Sequence, residues 1–524
     1  MAPTTLALIA TLMAASPAGA VDPTGSPWLA IDDAACVGLK LKDFAVDVGA
    51  PVTVTTASVI AAGADGRAPD LPAHCRLTAT IAPQNQVEIR LPVGGWSGRV
   101  LTVGCGGLCG SIQMERTDDA LIRGYAVAHT DMGHSAADMS FADDPALLDD
   151  FVHRATHLAT VLLKSAAGSY YGRAPTHSYF RGCSTGGRQG LTAMLMHPDD
   201  YDGIIAGAPA AGPGAVPNIA WTLKSNMRAD GSPILDAGAL DVLHAGVMAA
   251  CDGDDGAQDG LLANPDDCTF DPRAIVCGPG GPENECLTPA QANAAAAIYD
   301  GVAAQGRRAV SRGFARGGEM GWKAGLLGVN GGPPGYAGVA RNYLRRFPGA
   351  AADLAAFDFT AHPIALAAVD TLPSAGDGGE RLRTFRDAGG KLLFMHAWSD
   401  NSLTPATAID VYNDHAKTMG GHAALDGFYR LFVVPGVWHC GGGEGPDAVD
   451  TLAAIEAWVE KGQAPERLMA FKTKQRLPYP REYRFPIPDD QVVLSRPVFP
   501  WPVSARYTGR GDVARAESWE KSSP

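Results

Sequence analysis

The sequence predicts an α/β fold: a mostly parallel sheet with helices on its faces, interrupted by an inserted lid. Two observations carry this. Strand-like and helix-like stretches alternate from His177 to Ala206, and the rhythm resumes at Lys391–Trp398 and Arg430–Pro435. Such alternation marks strand–helix–strand units and hence a parallel sheet. Between about 213 and 390 the rhythm gives way to helical pieces, Gly/Pro-rich loops and four of the ten cysteines.

The elements follow in chain order. Residues 21–70 are β-rich and irregular, with Val and Thr concentrated over Val46–Ile60 as strands favour. Val87–Leu91 and Arg99–Val103 read as strands, Asp118–Gly124 as a helix, and Tyr125–Thr130 as a short apolar strand. Across Asp149–Tyr171, Phe151, Ala155, Leu158, Leu162 and Leu163 recur at helical spacing. His177–Arg181 is a short strand, Gly182–Gly187 a tight turn, and Arg188–Met196 a helix stopped by His197-Pro198. Tyr201–Ala206 is the next strand. Thr451–Lys461 is amphipathic: Leu452, Ile455, Trp458 and Val459 fall near one face, and Glu456 and Glu460 fall away from it.

At 524 residues the chain exceeds one small core and predicts a large domain with an insertion, or two domains. An apolar content of 46% excludes wholesale disorder. The net charge is −14, and no Lys/Arg cluster supplies the basic face that nucleic acid requires. The N-terminus reads as a signal peptide over residues 1–20: Leu6–Ala15 is largely apolar, and Ala18-Gly19-Ala20 forms a small-x-small cleavage site. Its n-region departs from the pattern in having no Lys or Arg. No later stretch reaches the ~20 apolar residues of a membrane span. A secreted or periplasmic protein is therefore expected. In an exported chain an even number of cysteines suggests disulfides, and no Cys-x-x-Cys pair points to zinc or redox chemistry.

Gly182-Cys183-Ser184-Thr185-Gly186 lies between a strand and a helix, which is the setting of a nucleophile elbow. The chain must reverse sharply there, and glycines remove the Cβ atoms that would clash. The helix start aims N–H groups and its positive dipole end at the serine. A serine needs a base to take its proton. In α/β-hydrolases an acid and then a histidine follow later strands. Asp400 follows Lys391–Trp398, and His439 follows Arg430–Pro435. Position selects His439 among 13 histidines, and His396 and His415 are read as structural.

A second argument is independent of chain order. Cys183 precedes Ser184, and Cys440 follows His439. If that serine and histidine share a hydrogen bond of about 2.6–3.2 Å, their neighbours meet the Cα spacing of about 4.4–6.8 Å that a disulfide requires. Two buried free thiols are the alternative.

This arrangement resembles the tannase and feruloyl esterase family, in which a disulfide joins the residue before the serine to the residue after the histidine. The likeness covers nearly the whole mature chain. It includes Gly104-Cys105-Gly106-Gly107, Thr130-Asp131-Met132-Gly133-His134, the elbow, Gly207-Ala208-Pro209-Ala210, the aspartate loop and the His-Cys pair. The family also contains the hydrolase of mono(2-hydroxyethyl) terephthalate. The resemblance implies Ser184 as nucleophile, His439 as base and then acid, and Asp400 as orienting carboxylate. It places the oxyanion hole at the N–H of Thr185 plus one from Gly106-Gly107. Cys105 and Cys109 stand where many members have other residues; they form either a small disulfide or free thiols.

Asp252-Gly253-Asp254-Asp255-Gly256-Ala257-Gln258-Asp259-Gly260-Leu261 spaces carboxylates as a hard cation prefers, without the EF-hand pattern. A solvated acidic turn is the alternative. The family has a calcium loop here. The match carries side-chain ligands to Asp252, Asp255 and Asp259, and carbonyl ligands to Ala257 and Leu261. The ion would be structural. On the same resemblance Cys251–Cys268 closes this loop, Cys277–Cys286 the next, and Cys36–Cys75 remains as the N-terminal pair.

The expected organisation is an α/β-hydrolase core over 21–212 and 391–524, with a lid domain carrying the calcium loop over 213–390. Within the lid, Glu319–Phe347 holds Trp322, Tyr336, Tyr343, Arg341, Arg345 and Phe347, which either line an acyl pocket or form lid core and a solvated basic face. The expected partner is a small aromatic carboxylic ester of the hydroxycinnamate or gallate type. A carboxylesterase for terephthalate-type monoesters is the rival within enzymes. A catalytically silent, calcium-stabilised binding protein is the rival outside them, and the intact Ser, Asp and His weigh against it.

Overall fold

The computed structural model describes residues 33–522, apart from 65–67, 139, 213–214, 280–284, 304–308, 329–331, 345–352, 360–372, 374 and 476–483. The expected leader over 1–20 lies outside the described residues, as do Arg345 and Phe347.

A nine-stranded sheet runs through the molecule. Its strands are β1 (Val52–Ile60), β2 (His74–Ile81), β3 (Asn85–Pro92), β4 (Arg99–Val103), β5 (Ala126–Thr130), β6 (His177–Cys183), β7 (Gly203–Gly207), β8 (Lys391–Ala397) and β9 (Tyr429–Val434). Their spatial order is β1-β2-β3-β5-β4-β6-β7-β8-β9. The first three form an antiparallel meander that joins β5 antiparallel. From β5 to β9 every neighbouring pair is parallel. The expected strand Val46–Ile60 begins only at Val52. Ala45–Val48 forms a helical turn that ends at Gly49 in the left-handed conformation, with Pro51 just beyond.

The period of two along each strand sorts side chains to opposite faces. Phe180, Ile204, Leu392, Phe394, Leu431 and Val433 face helix α2 (Thr185–Met196), which contributes Leu191, Met194 and Leu195. Tyr179, Ile205, Leu393, Phe432 and Val434 face the other way. There they pack on Leu452, Ile455 and Trp458 of the C-terminal helix Thr451–Lys461, the face its sequence predicts. Helix α1 (Ala155–Tyr171) packs through Leu158, Leu162 and Leu163 against the meander. It is preceded by a π-helical turn over Asp150–Arg154.

Between β7 and β8 the chain leaves the sheet. Helices α3 (Ala215–Ser225), α4 (Ala237–Cys251), α5 (Pro289–Asp300), α6 (Glu319–Leu327) and α7 (Gly335–Leu344) follow. Leu240, Leu243, Val247, Ile298, Trp322, Leu326 and Tyr336 of this segment share one hydrophobic cluster, set apart from those that flank the sheet. All ten cysteines are paired: Cys36–Cys75, Cys105–Cys109, Cys183–Cys440, Cys251–Cys268 and Cys277–Cys286. Among the described residues no helix is long and apolar enough to cross a membrane.

Candidate active site

Strand β6 runs two residues further than its sequence suggests, to Cys183, and α2 begins at Thr185 rather than Arg188. The whole reversal therefore falls on Ser184, whose φ of 64° and ψ of −123° lie where L-residues rarely go. Such a conformation costs roughly 1–3 kcal/mol and persists only where its surroundings enforce it. Here they do. Ser184 N–H donates to Gly207 O at 3.0 Å, and Ser184 O accepts from the N–H groups of Arg188 and Ala210, each at 3.0 Å. The motif glycines are sterically required: a Cβ on Gly182 would stand 2.4 Å from Gly186 O, and one on Gly186 would stand 2.9 Å from Cys105 O.

Asp400 sits just beyond β8 and is 2% exposed. Its Oδ1 accepts from the N–H groups of Ser402 and Leu403, both at 2.8 Å. Its Oδ2 accepts from His439 Nδ1 at 2.8 Å. Burial alone would raise the Asp400 pKa, but the contact with His439 outweighs it and the net direction is down. For His439 burial acts downward, the Asp400 carboxylate acts upward, and the carboxylate prevails. With Nδ1–H held by a buried carboxylate, Nε2 is the nitrogen left to exchange a proton. His396 lies behind the pair, its Nδ1 4.0 Å from Asp400 Oδ2, and burial lowers its pKa despite that carboxylate. His415 is buried on α8 (Pro405–Met419), its ring beside that of Tyr429.

The Cys183–Cys440 bridge holds the two loops with Cα atoms 6.0 Å apart. Ser184 and His439 open into one cavity of about 530 Å³. A separate apolar cavity touches Cys183 and Cys440 but neither Ser184 nor His439.

The loop facing the elbow is fixed from several sides. Cys105–Cys109 closes it, Thr185 Oγ1 donates to Gly107 O, and His134 Nε2 lies 2.6 Å from Leu108 O. Gly107 and Leu108 line the cavity, whereas Gly106 packs beneath the Arg116 guanidinium. Of the two expected glycines, only Gly107 thus borders the space beside Ser184.

The rest of the wall comes from distant segments. Phe151 precedes α1, Val216 and Ile219 lie on α3, and Tyr336 and Val339 lie on α7. Of the lid residues singled out in the sequence, Tyr336 lines the cavity. Trp322 is fully buried in the lid core, and Arg341 is exposed and does not line it. Arg188 borders the cavity, but its guanidinium donates to the carbonyls of Phe151 and Val152 at 3.0 and 3.1 Å. One participant carries no sequence signal beyond its place next to Asp400. Asn401 Oδ1 accepts from His439 N–H at 3.2 Å, its Nδ2 donates to Gly321 O at 2.7 Å, and its carbonyl accepts from the Tyr336 hydroxyl.

The acidic loop after α4 brings Asp252, Asp255 and Asp259 onto one turn, closed by Cys251–Cys268. Asp252 Oδ1 accepts from Gly260 N–H at 2.9 Å, and Asp255 Oδ1 accepts from Ala257 N–H at 3.0 Å. Arg496, 2% exposed, donates to Asp259. Burial, with Asp259 and Asp252 adding to it, pushes the Asp255 carboxyl up to about 7. Three carboxylates against one guanidinium leave uncompensated negative charge, and the carbonyl-bearing residues Ala257 and Leu261 are buried in the same loop. In charge and donor type this set fits a hard divalent cation.

A parallel sheet with a strained serine at its centre, and a carboxylate-held histidine sharing its cavity, defines an α/β-hydrolase site. The chain matches the model of the tannase and feruloyl esterase family over residues 72–522. It is 34% identical to an uncharacterized esterase of Xanthomonas campestris, covering 89% of this chain and 88% of that one. It is 30% identical to the mono(2-hydroxyethyl) terephthalate hydrolase of Piscinibacter sakaiensis, over 92% and 90% of the two chains. The crystal structure of feruloyl esterase B from Aspergillus oryzae superposes with a TM-score of 0.79 at 26% identity, over 94% of this chain and all of that one. The chain belongs to the tannase and feruloyl esterase family, and it is a carboxylic ester hydrolase.

Proposed function

We propose that this protein hydrolyses aromatic carboxylic esters of the hydroxycinnamoyl or galloyl type through an acyl-Ser184 intermediate. The observation that carries the proposal is Ser184 and His439 facing one cavity, with His439 Nδ1 held 2.8 Å from buried Asp400. Ser184 Oγ attacks the ester carbonyl as His439 Nε2 takes its proton. The oxyanion that develops is met by the Thr185 N–H at the start of α2 and by an N–H of the Gly106-Gly107 loop. Collapse expels the alcohol, which takes the proton from His439. Water then repeats the sequence on the acyl-enzyme, with His439 again as base. Asp400 keeps its charge throughout and stabilises the imidazolium.

The cavity volume falls in the range of small-ligand sites, roughly 300–1,000 Å³. Phe151, Ile219, Tyr336, Val339 and Leu403 supply the apolar walls an aromatic acyl group needs. Among the described lining residues Arg188 is the one permanent cation, and two backbone carbonyls engage it. That favours an uncharged acyl group over a terephthalate-type monoester, which carries a second carboxylate. Asp252, Asp255 and Asp259, with the carbonyls of Ala257 and Leu261, would hold a structural calcium ion. That ion supplies charge neutralisation to the lid and no chemistry to the ester. Secretion or export to the periplasm accords with five disulfides, which persist in oxidising compartments.

A serine-directed phosphonate probe followed by peptide mass spectrometry should place one adduct on Ser184; labelling elsewhere, or none, refutes the nucleophile. A panel of methyl ferulate, methyl gallate, chlorogenate and a terephthalate monoester should show the highest kcat/KM on one of the first three. Preference for the terephthalate monoester would select the rival reading.

A further inference from the structure

At the far end of α2 from Ser184 stands a cluster of ligating side chains that ester hydrolysis does not use. His153 and His157 lie four residues apart, where the π-helical turn runs into α1. His197 directly follows the last residue of α2, and Asp200 lies three residues further on. Helix α2 has 12 residues, or about 18 Å at the α-helical rise, so the cluster stands well away from Ser184.

One ligand atom from each of His157, His197 and Asp200 falls within 4.8 Å of the others, the only such trio of His, Cys, Asp or Glu among the described residues. His157 Nδ1 is 2.8 Å from Asp200 Oδ2, and His153 Nδ1 is 3.1 Å from His197 Nε2. Zinc bonds of about 2.0–2.1 Å in tetrahedral geometry hold neighbouring ligand atoms roughly 3.3 Å apart. These contacts are therefore already near the edge length of such a shell. The His157 and His197 rings stack with centroids 3.9 Å apart and planes 8° from parallel, so one of them must turn for both to bind a single ion. Asp200 is buried. Thr192 lines the same cleft, and its hydroxyl, in a residue 1% exposed, has no hydrogen-bond partner among the described residues. A metal-bound water is a chemically suitable partner for that hydroxyl.

A plain hydrogen-bonded clasp accounts for His157 and Asp200. His197 in turn meets His153 at 3.1 Å and stacks on His157, and His153 Nε2 reaches Asp149 Oδ1 at 2.9 Å, so Asp149 and the four side chains form one network. We propose that His157, His197 and Asp200 bind a divalent transition metal of the zinc class, with His153 or water in the fourth position. Imidazole with one carboxylate suits zinc, copper or nickel and is a poor shell for calcium. The ion would tie the start of α1 to the end of α2, the helix whose first turn carries Thr185.

The test is a Co2+ titration of the full chain in excess Ca2+, which keeps the acidic loop out of competition. One equivalent of Co2+ should bind and give the strong visible absorption of a tetrahedral site, and one equivalent of Zn2+ should abolish that signal. His197→Ala and His157→Ala should lose the equivalent, Asp200→Asn should weaken it at least tenfold, and His439→Ala should keep it. Should the alanine variants fail to fold, Cu2+ electron paramagnetic resonance on the wild-type chain decides. Nitrogen couplings from two or more imidazoles support the site, and their absence overturns it. No stoichiometric binding by the wild type, or equal binding by folded His197→Ala, also overturns it.

Discussion

Replacing both Cys183 and Cys440 by alanine isolates what the bridge behind the serine and histidine does. It closes a sequence separation of 257 residues, for which the chain-entropy relation gives roughly 5–6 kcal/mol near 25 °C. In a chain of this size that is a fall in melting temperature of roughly 5 °C. The second effect is local. The bridge fixes the spacing of the residues on either side of it, and a 1 Å misplacement of reacting groups costs about 10²-fold in rate. We therefore expect kcat on a soluble aryl ester to fall at least 10²-fold at temperatures where the variant is fully folded. Cys36→Ala/Cys75→Ala is the control. It opens a separation of 39 residues in the N-terminal region, worth about 4 kcal/mol on the same relation, and should lower the melt while leaving kcat within about threefold. Circular dichroism and initial rates measured on the same samples separate the two effects. A folded Cys183→Ala/Cys440→Ala enzyme with kcat within threefold of wild type would refute the idea that this bridge sets catalytic geometry.

Two further outcomes are expected. His439 must be neutral to act as base, and Asp400 holds its pKa above the ordinary histidine value of about 6.5, so kcat/KM should fall as pH drops through a midpoint above that value. Asp400→Asn removes the charge that raises it; the limb should move to lower pH and kcat should fall by orders of magnitude, whereas an unmoved midpoint would show that another group titrates. Chelation of calcium should lower the melting temperature of the wild type, by up to the roughly 2.7 kcal/mol that an ion at 100 times its Kd contributes. Asp252→Asn/Asp255→Asn should have a melt indifferent to chelator, and a wild-type melt that does not respond argues against the ion.

The site was legible where its signals are local. The elbow pentapeptide, and the positions of Asp400 and His439 just past their strands, are short-range patterns, and the structure brings all three residues to one sheet edge. The sequence puts the start of α2 at Arg188 because Gly186 and Gly187 read as turn residues, whereas the crowded elbow demands them inside a helix. The pocket wall was not legible, since Phe151, Ile219 and Tyr336 meet only after the lid folds over the sheet. Arg496 is opaque for the same reason: it meets Asp259 across 237 residues. The histidine cluster divides along this line. His153 and His157 have visible helical spacing, but their meeting with His197 depends on how α1 packs beside α2.

Asn401 shows why the lid is more than a cover. Its side chain is held by Gly321 at the start of α6, its backbone carbonyl by Tyr336 on α7, and its Oδ1 in turn holds the His439 backbone. The residue that follows the orienting carboxylate is thus clamped between two lid helices and the histidine loop. Displacing α6 or α7 would withdraw both a cavity wall and a support of the imidazole. The disulfide fixes the His439 loop from the serine side, and Asn401 fixes it from the lid side. Any ion that orders the lid then bears on the base through Asn401, without touching the ester.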